Sequence, residues 1–161
     1  MMGVLENLGS PAARTMAEEA VYKSCMALDA LDFNGFLALC GAQFHYRISA
    51  FSPEIRKDMT WLEHDMAGMQ LLFKNLPKHN SDRSLLSRHA TVYTVSFAGD
   101  EATVVSGLQV YRTTLDGGAT ELFAIGKMTD KLALSAEGAK LVDRHIKLDT
   151  RMFGIGFHIP F

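Results

Sequence analysis

Asp65 is the residue whose type and spacing point most directly to chemistry. Thr60-Trp61-Leu62-Glu63 has the form of a capping box, threonine with glutamate three residues on, and predicts a helix from Trp61 to about Leu76, stopped by Pro77. Trp61, Leu62, Met66, Met69, Leu72, Phe73 and Leu76 make its apolar stripe. At about 100° per residue Asp65 falls inside that stripe and is expected to face the core side. Burial disfavours a carboxylate, raises its pKa and suits it to act as a general base in a pocket. His45 and Tyr46 are candidate helpers in such an acid/base reaction, a dehydration or isomerisation. The plainer role is structural: Asp65 pairs with an arginine of a sheet, or benefits from the nearby helix N-terminus.

Metal and nucleotide chemistry find less support. His45, His64, His79, His89, His145 and His158 form neither a His-x-x-x-His pair nor a compact two-His-plus-carboxylate run. Cys25 and Cys40 have no Cys-x-x-Cys or Cys-x-His companion, so no iron–sulfur centre is expected on this chain. Gly-x-Gly-x-x-Gly, P-loop and Gly-x-Ser-x-Gly patterns are missing, and Gly154-Ile155-Gly156 follows the last strand with no helix after it.

A second group of residues points to association. In the last predicted strand Asp143, His145, Lys147 and Asp149 alternate on one face, while Val142, Ile146 and Leu148 share the other with Arg144. The charged face is either solvated or a polar contact for another subunit. Met152 to Phe161 is mostly apolar, and an apolar tail either covers its own domain or meets a partner. Arg144, Asp149, Arg151, Phe153, Phe157 and Phe161 are therefore the interface candidates.

These residues need a frame. Ser87–Ala98, Ala102–Thr113, Thr120–Leu134 and Leu141–Asp149 read as four strands, parted by Gly99-Asp100, by Asp116-Gly117-Gly118 and by Ser135–Gly138. Short polar turns between neighbours favour an antiparallel meander. Ser10-Pro11 looks like an N-cap with proline at the first helical position, opening a helix to about Leu31. Asp32 is placed to cap a short helix, Phe33–Cys40, ended by Gly41. Phe44–Phe51 is predicted as a short edge strand, and Lys78–Ser84 as a loop. Helices first and a curved antiparallel sheet after them give an α+β cone, one domain over 1–161, with a pocket expected between helix and sheet.

The bulk numbers fit. In a chain of 161 residues, 48% hydrophobic and 21% charged residues make an ordinary globular balance able to bury a core. A net charge of −2 without a Lys/Arg cluster argues against a nucleic-acid partner. The first ten residues lack a basic n-region and a long apolar run, and no stretch has membrane-spanning length. Two cysteines in helix-like apolar segments suit free thiols in a reducing cytoplasm.

Several segments also carry a family likeness in their order and spacing. They are Tyr22–Asp29 with Phe33–Leu39 behind it, Ser87-Arg88-His89, Ser106–Thr113 ending in Val110-Tyr111-Arg112, Glu121–Lys127, and Arg144–Arg151 with Leu148-Asp149. On these the chain resembles the small (β) subunits of Rieske-type ring-hydroxylating oxygenases, within the wider NTF2-like cone fold. Ser52–Lys57, Asn75–Asp82, Thr114–Glu121 and Gly154–Phe161 are similar to its methanesulfonate-oxidising branch. The Cys40-Gly41-Ala42-Gln43 segment and the short loops depart from the aromatic-ring members. The resemblance implies that the Rieske [2Fe-2S] cluster and the mononuclear iron sit in a separate large (α) subunit. This chain would then hold no cofactor and would support assembly, commonly as α3β3 with a trimer of β subunits, and it carries over no catalytic residue. The contrasting expectations are a stand-alone NTF2-like dehydratase or isomerase using Asp65, and a small-ligand binding domain.

Overall fold

The computed structural model describes residues 10–79, 82–153 and 160–161. Helix α1, Pro11–Asp29, begins as its sequence signals: the Ser10 side chain accepts the Ala13 N–H and proline follows at once. It ends in a Schellman turn, Asp32 N–H donating to Ala27 C=O (2.8 Å) and Leu31 N–H to Leu28 C=O (3.1 Å). Leu31 takes the left-handed conformation (φ 55°) usually left to glycine. Asp32 then caps α2, Phe33–Ala38, accepting the Gly35 N–H at 2.9 Å.

The sheet has six strands in the order β2-β1-β6-β5-β4-β3. They are β1 Cys40–Ser52, β2 Lys57–Asp65, β3 Leu85–Ala98, β4 Glu101–Thr113, β5 Thr120–Ser135 and β6 Gly138–Leu148. β3 to β6 form the expected meander, and Gly99 (φ 63°) makes the tight β3–β4 turn. Helix α3, Met66–His79, links β2 to β3, the two edges of the sheet. The fold is thus α+β, with helices on one face of an open, mostly antiparallel sheet; the exception is β1, which pairs parallel with β6.

Four boundaries differ from expectation. The helix expected over Phe33–Cys40 and ended by Gly41 stops at Ala38, and Cys40 and Gly41 already belong to β1. The predicted edge strand Phe44–Phe51 is an interior strand of thirteen residues, because β2 covers one side of it and β6 the other. Thr60–Glu63 does not cap a helix; it lies in β2, where Thr60, Leu62 and Glu63 pair with Ser49, Ile48 and Arg47. A cap contributes about 1 kcal/mol, and a full ladder against β1 outweighs it. Pro77 does not end α3, which continues to His79 with the proline inside its last turn.

The inward face is packed by parity along the strands. Phe44, Tyr46, Ile48 and Ala50 of β1, Met128 and Leu132 of β5 and Ile146 and Leu148 of β6 are buried beneath Ala17, Val21 and Leu28 of α1. Phe36 meets Phe44 and Phe73 edge-on, and Phe33 stacks on Phe73 at 4.5 Å. A bulge alters the reading of β6: Asp143 pairs with Lys131 but Leu141 with Leu132, so Leu141 turns inward and Val142 is only partly buried. Gly126 allows β5 and β6 to approach closely, since a Cβ there would run into the Lys147 carbonyl.

Candidate functional site

Alternation places Asp130 and Arg144 in the middle of the apolar hollow between helices and sheet. Asp130 follows Met128 and precedes Leu132 on the inward face of β5, and Arg144 stands opposite it on β6. Both side chains are fully buried and joined by two bonds, Nε to Oδ1 at 2.6 Å and Nη2 to Oδ2 at 3.1 Å. Arg144 Nη2 also donates to Ser24 Oγ of α1 (2.7 Å), and its guanidinium lies over the Phe36 ring at 5.9 Å. Burial pushes the Asp130 carboxyl up while Arg144 pulls it back. Burial also works against the Arg144 charge, but Asp130 more than restores it and holds the guanidinium above its ordinary value. Arg144 therefore does not belong to a surface of this chain, contrary to the expectation that made it an interface candidate. One inward-facing charge needs one inward-facing partner, and the hollow supplies it.

Of the three candidate acid/base residues, His45 and Asp65 are cross-strand partners of β1 and β2, with side chains bonded to other groups, while Tyr46 lies on the other face. Asp65 is exposed, and its Oδ1 accepts the Gly68 N–H at 2.8 Å, which makes it the cap of α3. The core-side placement inferred from helical spacing fails because Trp61–Asp65 is strand, where period two replaces the helical period. His45 and Tyr46 are consecutive in β1 and point to opposite faces of the sheet. Tyr46 is fully buried, and its hydroxyl donates to the Phe161 carbonyl (3.1 Å) and accepts the Phe161 N–H (2.8 Å). Burial pushes its phenol well above the usual range.

On the outer face His45 bridges two carboxylates, Nε2 to Glu63 at 2.9 Å and Nδ1 to Asp143 at 3.1 Å. Beside it His145 contacts Ser49 Oγ through Nε2 (2.7 Å) and Arg47 through Nδ1 (3.2 Å). Partial burial, reinforced by Arg47, holds the His145 imidazole below its ordinary value. Among the described residues no three His, Cys, Asp or Glu side chains are placed to hold a metal ion. Cys25 and Cys40 are buried free thiols, and burial pushes the Cys40 thiol up to about 12.

The candidate interface residues of the tail divide. Asp149 is exposed, and its N–H donates to the Ile125 carbonyl at 2.8 Å, holding the start of the tail against β5. Arg151 is exposed and binds both oxygens of Glu54 (2.9 and 2.8 Å), drawing the Glu54 carboxyl down to about 2. Phe153 is partly buried against Trp61 and Phe123. Phe157 lies outside the described residues. Phe161 is buried inside the hollow of its own chain, so this part of the tail packs on itself. Tyr46, Phe36, Phe161 and Arg144 are fully buried between helices and sheet, and a cavity of about 130 Å³ opens beside Arg88, between the end of α1 and β3, lined by Leu28, Asp29 and Leu86.

An apolar ledge lies exposed beside the tail. Trp61 is the extra residue of a β-bulge, since Leu62 pairs with Ile48 and Thr60 with Ser49. Its ring meets Phe153 edge-on at 5.5 Å and is still 42% exposed, and Met152 next to Phe153 is 88% exposed. The Glu54–Arg151 bond brings the β1–β2 turn, with exposed Ile55, alongside the same tail. Sequence reasoning missed this ledge and the buried Asp130–Arg144 pair. The signal for Asp130 was available in the alternation of Met128, Asp130 and Leu132; the bulge at Trp61 leaves no such mark.

Comparison with known proteins follows the same outline. Residues 12–145 match the model of the SnoaL-like domain. The methanesulfonate monooxygenase hydroxylase subunit beta of Methylosulfonomonas methylovora is 36% identical, with 99% of this chain and 93% of that protein covered. The 2-aminobenzenesulfonate 2,3-dioxygenase subunit beta of Alcaligenes sp is 29% identical, over 88% of this chain and 95% of that protein. Among solved structures, naphthalene 1,2-dioxygenase with indole bound in the active site superposes with a TM-score of 0.71 at 15% identity, covering 89% of this chain and 82% of that one.

Proposed function

Because the chain belongs to the SnoaL-like domain family, among the small β subunits of multicomponent oxygenases, we propose that it is the assembly subunit of such an enzyme and carries no catalytic step itself. The observation that carries this reading is the end-to-end likeness to an oxygenase β subunit, over 99% of the chain. The geometry agrees with it. Tyr46, Phe36, Phe161 and the Asp130–Arg144 pair are buried between helices and sheet, while Trp61, Met152 and the charged outer face of β1, β2 and β6 remain available to another chain.

On this reading the partner is a large α subunit that holds the Rieske [2Fe-2S] cluster and the mononuclear iron. The complex is α3β3, with self-association through a β trimer, and it works in the cytoplasm. No helix among the described residues is long and apolar enough to cross a membrane. The ledge around Trp61, Phe153 and Met152, with Asp149 and Arg151 beside it, is the contact surface. Apolar anchors rimmed by charges are the usual build of such surfaces. The substrate is a sulfonate, since both curated relatives are named for sulfonate oxygenation; methanesulfonate is the first to test.

Co-expression of the chain with a tagged large subunit tests the proposal. The expected outcome is a stable complex of the two, oxygen uptake with methanesulfonate by the complex only, and no turnover by the chain alone. A chain that stays unbound and transforms a substrate by itself would overturn it.

A further inference from the structure

Pro160 and Phe161 return to the hollow of the chain and are held there by groups unlike those of an ordinary packed tail. One hydroxyl, that of Tyr46, grips Phe161 from both sides, donating to its carbonyl and accepting its N–H. Arg88 Nη2 donates to the Pro160 carbonyl at 2.7 Å. That arginine is anchored beforehand, since its Nη1 donates to Asp29 at the end of α1 (2.7 Å) and its own backbone N–H meets the same carboxylate. A charged donor makes the strongest bond of the set, and both side chains are shielded from water.

From this seat a run of aromatic contacts leads outward. Phe161 lies 6.3 Å from Phe123 and 6.4 Å from Phe153, Phe153 is 5.1 Å from Phe123, and Trp61 closes on Phe153 from outside. Close-packed rings transmit a displacement to their neighbours instead of absorbing it. The exposed ledge thus has its inner support in Phe161.

We propose that Pro160–Phe161 is an intramolecular latch: seated against Tyr46 and Arg88, it sets Phe153 and, through Phe153, the Trp61 ledge in the position that the large subunit recognises. The second half rests on the assembly role proposed above.

Trp61 is the chain's only tryptophan, so its emission reports the ledge directly. Tyr46→Phe removes both bonds to Phe161 and keeps the ring, and Phe161→Ala removes the buried ring. Each full-length variant is compared with the parent in two measurements: the Trp61 emission maximum of the isolated chain, and retention on the tagged large subunit. The latch predicts a red shift of emission in both variants and a severalfold loss of retention, with the far-ultraviolet circular dichroism of the parent. Should Phe161→Ala not fold, the milder Tyr46→Phe decides. Parent-like emission in the folded variants overturns the latch. Shifted emission with full retention overturns its link to docking. If the parent chain itself is not retained, the assembly role fails, while the emission result still judges the latch.

Discussion

Asp130 and Arg144 are the residues on which the interior depends most. Each alone would be a charge stranded among Met128, Leu132 and Ile146; together they neutralise one another and tie β5, β6 and α1 through Ser24, with only the Arg144 Nη1 of this group left without a hydrogen-bond partner among the described residues. Removing one partner of such a pair costs about 3–5 kcal/mol, because the remaining charge stays buried. Asp130→Ala should therefore lower stability by about that amount in chemical denaturation, and joint replacement with Arg144→Met should recover much of it. His145 carries a pH dependence. Its folded value lies below the ordinary one of about 6.5, so the unfolded chain takes up the proton first. Its contribution is present above about pH 6.5 and is lost as pH falls through the folded value. Ser49, Arg47, Asp143, Asp58 and Lys147 surround this imidazole. His145→Gln should flatten the decline of the thermal midpoint on acidification from neutral pH, a change that a pH series of melting curves would reveal.

At the scale of elements, the passage from β2 into α3 is where local signals and long-range pairing compete. Thr60-x-x-Glu63 carries a cap pattern, yet β1 runs alongside and claims those residues for a ladder, delaying the helix until Asp65 caps it. Asp65→Ala should cost about 1 kcal/mol, the usual price of a lost N-cap, and leave activity of the assembled oxygenase unchanged. A large loss of turnover in that variant would restore Asp65 to the acid/base role that its exposed position argues against. The bulge at Trp61 belongs to the same passage, for it turns that ring out of the strand's alternation and onto Phe153.

For the whole molecule, the architecture leaves one sheet face under helices and the other bare. The covered face holds the chain's own Phe161, and the bare one carries two polar groups, His45 with Glu63 and Asp143, and His145 with Arg47 and Ser49. A subunit with its charged face and apolar ledge uncovered is arranged to hold other chains. Met152→Asp, at the most exposed apolar position of the ledge, should reduce retention on the large subunit severalfold with no change in the chain's own unfolding midpoint. Equal retention, measured by pull-down at matched concentrations, would move the contact elsewhere.

Local chemistry decided much of this in advance. Helix α1 with its Ser10-Pro11 start, the Asp32 cap and the four meander strands follow from nearest-neighbour preferences, since caps, tight turns and alternation act within a few residues. The family likeness was legible too, because order and spacing of segments survive where single motifs do not. Tertiary structure alone decided the interior place of β1, the strand at Trp61, the bulge that exchanged Val142 for Leu141, the pairing of Asp130 with Arg144 and the seat of Phe161. Each of these depends on a partner on another element, 14 residues away for Asp130 and Arg144 and 115 for Tyr46 and Phe161, and no local pattern encodes which group will arrive.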